Sequence, residues 1–134
     1  MATIWTPSAA VAIAIVLLVR DGEKTSAYAS ARLAPVGSVQ SASGVAWADD
    51  VSSGTRVHLR AKGLPAGSMY ELWCIRADGR WISGGTFRPA SDGRADAMLT
   101  AAVRPGDYHV MVVTRHGGAE NGHGPALLRG SLRY

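Results

Sequence analysis

The dipeptide Asp78-Gly79 constrains this chain more than any other feature, because it separates two apolar, aromatic-bearing runs inside "YELWCIRADGRWISGGTF", residues 70–87. A two-residue turn of this composition reverses the chain in type I′ geometry and pairs the flanking runs as antiparallel strands. In the first run Tyr70, Leu72 and Cys74 share one face, while Glu71, Trp73 and Ile75 share the other. Both faces carry apolar bulk, which places the strand inside a sheet rather than at its edge. "YHVMVVT", residues 108–114, reads the same way.

Turn chemistry recurs along the rest of the chain. Pro35-Val36-Gly37, Gly63-Leu64-Pro65-Ala66-Gly67, Ser91-Asp92-Gly93 and Arg104-Pro105-Gly106-Asp107 all supply positive-φ or fixed-φ positions. They separate strands expected near 27–35, 42–48, 54–62, 68–77, 80–88, 94–101, 107–114 and 126–132. The third alternates cleanly, with Val57, Leu59 and Ala61 opposite Arg56, His58, Arg60 and Lys62. Seven to eight such strands predict an all-β domain over residues 27–134, an antiparallel, Ig-like two-sheet β-sandwich. Its structural core is expected around Tyr70, Leu72, Trp73, Phe87 and Tyr108, since large rings in strands usually pack inward. A strand near 126–132, if exposed at an edge, would offer a surface for pairing with a second chain.

The amino-terminal segment has a different character. Residues 1–19 carry no charge, and Ala9–Val19 is an unbroken apolar run of eleven. A bilayer-spanning helix needs about 20 residues, so this segment is expected to form a short apolar helix, a truncated transmembrane span, with Trp5 as an interfacial anchor. A buried strand or core helix is the alternative reading. The Ala-x-Ala sites at Ala27-Tyr28-Ala29 and Ala29-Ser30-Ala31 lie too far beyond the apolar run for a typical signal cleavage. Residues 20–26, "RDGEKTS", read as a linker.

Little in the composition suggests chemistry. The net charge is +4, but the arginines stand singly along the chain, so no nucleic-acid partner is expected. The one cysteine, Cys74, lies mid-strand and reads as a small core residue rather than a nucleophile. His109, His116 and His123 are weak candidates for copper or zinc; glycines surround the last two, and Glu120 is the only nearby carboxylate. No phosphate loop, dinucleotide fingerprint or nucleophile elbow is present, so neither enzyme activity nor a cofactor is expected.

The order of motifs resembles the extracytoplasmic carboxy-terminal domain of anti-sigma-K-type anti-sigma factors. Gly63-Leu64-Pro65 leads into Tyr70-Glu71-Leu72-Trp73; Asp78-Gly79, Gly85-Thr86-Phe87 and Asp92-Gly93-Arg94 follow, and Gly124-Pro125-Ala126-Leu127-Leu128-Arg129-Gly130 closes the series. The resemblance implies the regulatory or sensor outer domain of a single-pass protein of the cell membrane, whose state controls sigma-factor-dependent transcription through regulated proteolysis. Membrane contact would run through residues 1–19, with membrane proteases as further partners. The family's His-x-x-x-Cys-x-x-Cys signature is not in these residues, so contact with a sigma factor is expected through a cytoplasmic domain outside this chain. The alternative is a stand-alone β-sandwich binding module, membrane-anchored or secreted, that takes a ligand or metal.

Overall fold

The computed structural model describes residues 28–37, 40–117 and 122–134. Eight strands follow in order: β1 (Ala29–Pro35), β2 (Ser43–Val51), β3 (Gly54–Lys62), β4 (Tyr70–Arg76), β5 (Trp81–Phe87), β6 (Ala95–Ala101), β7 (Tyr108–Arg115) and β8 (Ala126–Arg133). There is no helix among the described residues. The expected apolar helix at 1–19 and the linker at 20–26 lie outside them.

All ladders are antiparallel and belong to one sheet with the order β5-β4-β7-β8-β1-β2-β3-β6. Its two end strands, β5 and β6, run beside each other without a hydrogen-bonded ladder, so the sheet rolls into a nearly closed barrel. This corrects the two-sheet sandwich. The decisive strand is β8, which pairs with β7 along one edge, as in Val113 opposite Leu128, and with β1 along the other, as in Ala31 opposite Leu132. Both of its edges are therefore satisfied, and it is not available for pairing with a second chain. Gly130 makes the joint possible: a Cβ there would run into the carbonyl oxygen of Arg32 on β1. Only glycine lets the two backbones come that close.

The turns carry their own correction. Among the described residues no non-glycine residue has positive φ, so Asp78 cannot occupy a type I′ turn. Instead Gly79 N–H donates to the Arg76 carbonyl at 2.9 Å, and Gly79 itself has φ +87. That is a three-residue hairpin, a type I turn closed by a left-handed glycine. The Asp78 carboxylate accepts from the Arg80 N–H at 3.0 Å. The second Asp-Gly-Arg, residues 92–94, repeats the device, with Arg94 N–H donating to Asp92 at 3.0 Å and Gly93 at φ +82.

Strand alternation then decides the interior. Leu33, Ala46, Ala48, Val57, Leu59, Leu72, Met111, Val113 and Leu128 point inward and are buried, joined by Tyr70, Phe87 and Tyr108. Each fully buried Leu or Val stabilises the barrel by roughly 1.5–3 kcal/mol relative to exposure. Trp73 departs from the expected core: it takes the other face of β4 and is half-buried on the outside of the barrel. Cys74 lies inside, and burial pushes its thiol up to about 12. Burial also raises the Tyr108 phenol, with the neighbouring Cys74 adding to the effect.

Candidate functional site

The described side chains with the most chemistry gather on the outer face of β5, β4 and β7. Because Leu72 and Cys74 point inward, Glu71 and Trp73 must point outward. Glu71 is nonetheless only 8% exposed. A carboxylate this covered is costly unless its oxygens are hydrogen-bonded. Both are: Ser83 Oγ donates to Oε2 at 2.5 Å, and His116 Nδ1 donates to Oε1 at 3.0 Å.

The positions of these partners follow from the backbone. The three-residue hairpin pairs Ile75 with Trp81 and Trp73 with Ser83, and a bulge between Leu72 and Trp73 then resets the pairing to Leu72 with Gly85 and Glu71 with Thr86. That extra residue, Gly84, turns Ser83 outward beside Glu71. His116 follows β7 directly, and its N–H donates to the Met69 carbonyl at 2.9 Å, which fixes it at the start of β4. The fold thus meets the buried acid with an imidazole and a hydroxyl.

Next to this cluster lies an aromatic one. Trp81 and His123 stack face to face, with centroids 3.7 Å apart and planes 5° from parallel. Trp73 meets both edge-on, at 6.0 Å and 5.7 Å, and its indole N–H donates to Thr114 Oγ1 at 3.0 Å. His116 and His123 thus bracket the connection from β7 to β8 and hold its two ends against β4 and β5.

What this arrangement can do is limited by its order. A hydrolytic triad places the imidazole between hydroxyl and acid, so that it can take the hydroxyl proton. Here the carboxylate lies between them. The Ser83 proton is directed at Glu71, and Ser83 Oγ also accepts from the Gly85 N–H at 3.2 Å. The hydroxyl is fixed by both contacts, and the order of the groups is not that of the triad.

The three histidines weighed for metal do not come together. His109 is exposed on β7, seven residues before His116, or roughly 20 Å along a strand. His123 spends its ring on Trp81. Among the described residues no group of three His, Cys, Asp or Glu side chains converges as a metal site would require. Of the contributors, Ser83 and Thr114 were not singled out from sequence. The available signal was Glu71 itself, an acid in an apolar strand that had to have partners.

The cluster therefore holds His116, at the start of the β7–β8 connection, against the barrel wall. The class of protein comes from comparison with known families. The family model for the carboxy-terminal domain of the anti-sigma-K factor rskA matches residues 5–125, and the chain belongs to that family. Comparison with curated proteins gives no significant match.

Proposed function

We propose that this chain is the outer, regulatory domain of a membrane-anchored anti-sigma factor, with residues 1–19 as its anchor and the barrel on the extracytoplasmic side. The observation that carries the reading is the extent of the family match: it runs from residue 5 to residue 125, so the apolar run and strands β1 to β7 are matched as one unit. The sigma factor itself would be held by a cytoplasmic domain beyond the anchor. Regulated proteolysis near the membrane would release it, and the pairing of β8 along both edges would keep that strand from an attacking protease until the barrel opened.

The test is extraction. Membranes from cells expressing the full chain are washed with high salt and with alkaline carbonate, beside a variant lacking residues 2–19. Retention of the full chain and release of the shortened one is the expected result. A full chain recovered in the soluble fraction would overturn the reading.

A further inference from the structure

Charge that the sequence scatters is collected by the fold on the outer face of β8, β1, β2 and β3. Inward Leu33, Val57, Leu59 and Leu128 are buried, so their neighbours along each strand face solvent. Arg32, Arg56, Lys62, Arg129 and Arg133 consequently share this face, and all are exposed. Among the described residues no carboxylate lies within ion-pair distance of any of the five. A sixth cation, Arg60, pairs with Asp96 on β6 at 3.7 Å. Asp49, opposite Arg56, is the only acid in the outward register of these four strands.

Aromatic and apolar groups are set among these cations. Trp47 lies mid-face, in register with Ser30 and His58, its ring tilted against His58 at 5.5 Å. The large apolar side chains most exposed in the described structure are Tyr28, Met98 and Tyr134. Tyr28 stands at the head of β1, edge-on to Tyr134 at 5.6 Å, and Met98 lies on β6 opposite His58. Unpaired guanidinium groups around amphipathic rings complement a lipid surface, where basic residues meet anionic headgroups and Tyr and Trp sit at headgroup depth. Single-stranded nucleic acid would instead need rings lying open for bases to stack on. Trp47 is half-buried, with His58 against it, and the exposed Tyr28 and Tyr134 meet each other edge-on, so no row of open rings tracks the cations. Tyr28 also follows Val19 by nine residues, so the chain can carry β1 at most about 30 Å from the end of the apolar run.

We infer that the outer face of β8-β1-β2-β3 docks on an anionic bilayer surface, laying the barrel against the membrane by its basic side; this rests on the membrane-anchored reading proposed above. Arg32, Arg129 and Arg133 meet the headgroups, Tyr28 and Met98 enter the interface, and the β5-β4-β7 face with its loop is turned away.

The experiment uses the full chain in phosphatidylcholine vesicles with and without phosphatidylglycerol. An environment-sensitive thiol dye is attached at Met98→Cys or, for comparison, at Ala77→Cys on the exposed β4–β5 turn. Native Cys74 is buried with its thiol raised to about 12, so it does not take the dye. The residue-98 emission is expected to shift to the blue on anionic vesicles only, and to fall back as salt screens the charges. The residue-77 emission stays constant. Arg32→Glu and Arg129→Glu each reduce the docked-to-undocked ratio by about fivefold or more, whereas Arg80→Glu, on the β4–β5 turn, leaves it unchanged.

Equal residue-98 signals on the two kinds of vesicle would overturn the docking. So would a shift produced by a single-stranded oligonucleotide without vesicles, which would reassign the face to nucleic acid. Flotation with neutral vesicles at high salt reads the anchor separately: a chain that fails to float there but still shifts on anionic vesicles keeps the docking and loses the anchor.

Discussion

The outer wall of this barrel has two halves, built by the same strand alternation and used in opposite ways. Across β5-β4-β7 the outward side chains are satisfied by the chain itself: Glu71 by Ser83 and His116, Trp73 by Thr114, and Trp81 by His123. Across β8-β1-β2-β3 most cations are left open: Arg32, Arg56, Lys62, Arg129 and Arg133 have no acid within ion-pair distance among the described residues, and only His58 and Arg60 reach one, Asp96 on β6. The difference teaches where to look for stability and where to look for a partner. A face that closes its own hydrogen bonds should lose stability when mutated, and a face that does not should lose an interaction outside the molecule.

The largest expected effect falls on the joint between the halves. Gly130→Ala drives a methyl into the Arg32 carbonyl and should cost about 3 kcal/mol in denaturant unfolding, the upper range for overpacking. An unchanged midpoint would mean β1 and β8 are not held as closely as described. Next come the closed-face residues. Glu71→Ala leaves Ser83 and His116 without their acceptor and should cost about 1–2 kcal/mol, a range held down because His116 is half-exposed. Trp81→Ala removes the partner of both His123 and Trp73 and should cost a similar 1–2 kcal/mol or so. On the open face, Arg32→Gln or Arg129→Gln should stay within about 0.5 kcal/mol, the usual result at an exposed site without partners. If Arg32→Gln cost as much as Glu71→Ala, the contrast between the halves would be lost.

Alkaline pH probes the interior that both halves share. The Cys74 thiol titrates at 9.0 when free and at about 12 in the fold. Between those values the unfolded chain gives up a proton that the folded chain keeps, so stability is intact below pH 9 and falls as pH rises toward 12. One such group gives a slope of about 1.4 kcal/mol per pH unit. Cys74→Ala should therefore unfold less steeply with pH above 9 than the parent protein, while Tyr108 maintains a residual slope at the highest pH. Thermal melts from pH 8 to 11 on both proteins would show the difference, and identical profiles would place the thiol in water.

Much of this was legible in the sequence because it is local. The strand expected at 54–62 is Gly54–Lys62, and the one expected at 126–132 is Ala126–Arg133. The inward set Val57, Leu59 and Ala61 follows directly from alternation. Pairing is not local. A sandwich and a barrel have the same inside-outside alternation, and only the union of β8 with β1, almost a hundred residues earlier, distinguishes them here. The same limit concealed the Glu71 cluster, whose imidazole comes from 45 residues away, and the basic face, whose arginines are adjacent only after four strands align. Even the Asp-Gly turns were legible as reversals but not in their type, because a left-handed glycine closes a three-residue loop as readily as it serves a two-residue one.

The proposal at the centre of this account is that residues 1–19 cross a membrane and the barrel lies on its outer side. Ser53→Cys puts a reactive thiol on the exposed turn between β2 and β3, while Cys74 stays buried and silent. Intact cells are treated with a membrane-impermeant maleimide, and labelling is compared before and after lysis. Full labelling in intact cells is the predicted result. Labelling that appears only after lysis would place the barrel on the cytoplasmic side and contradict the account.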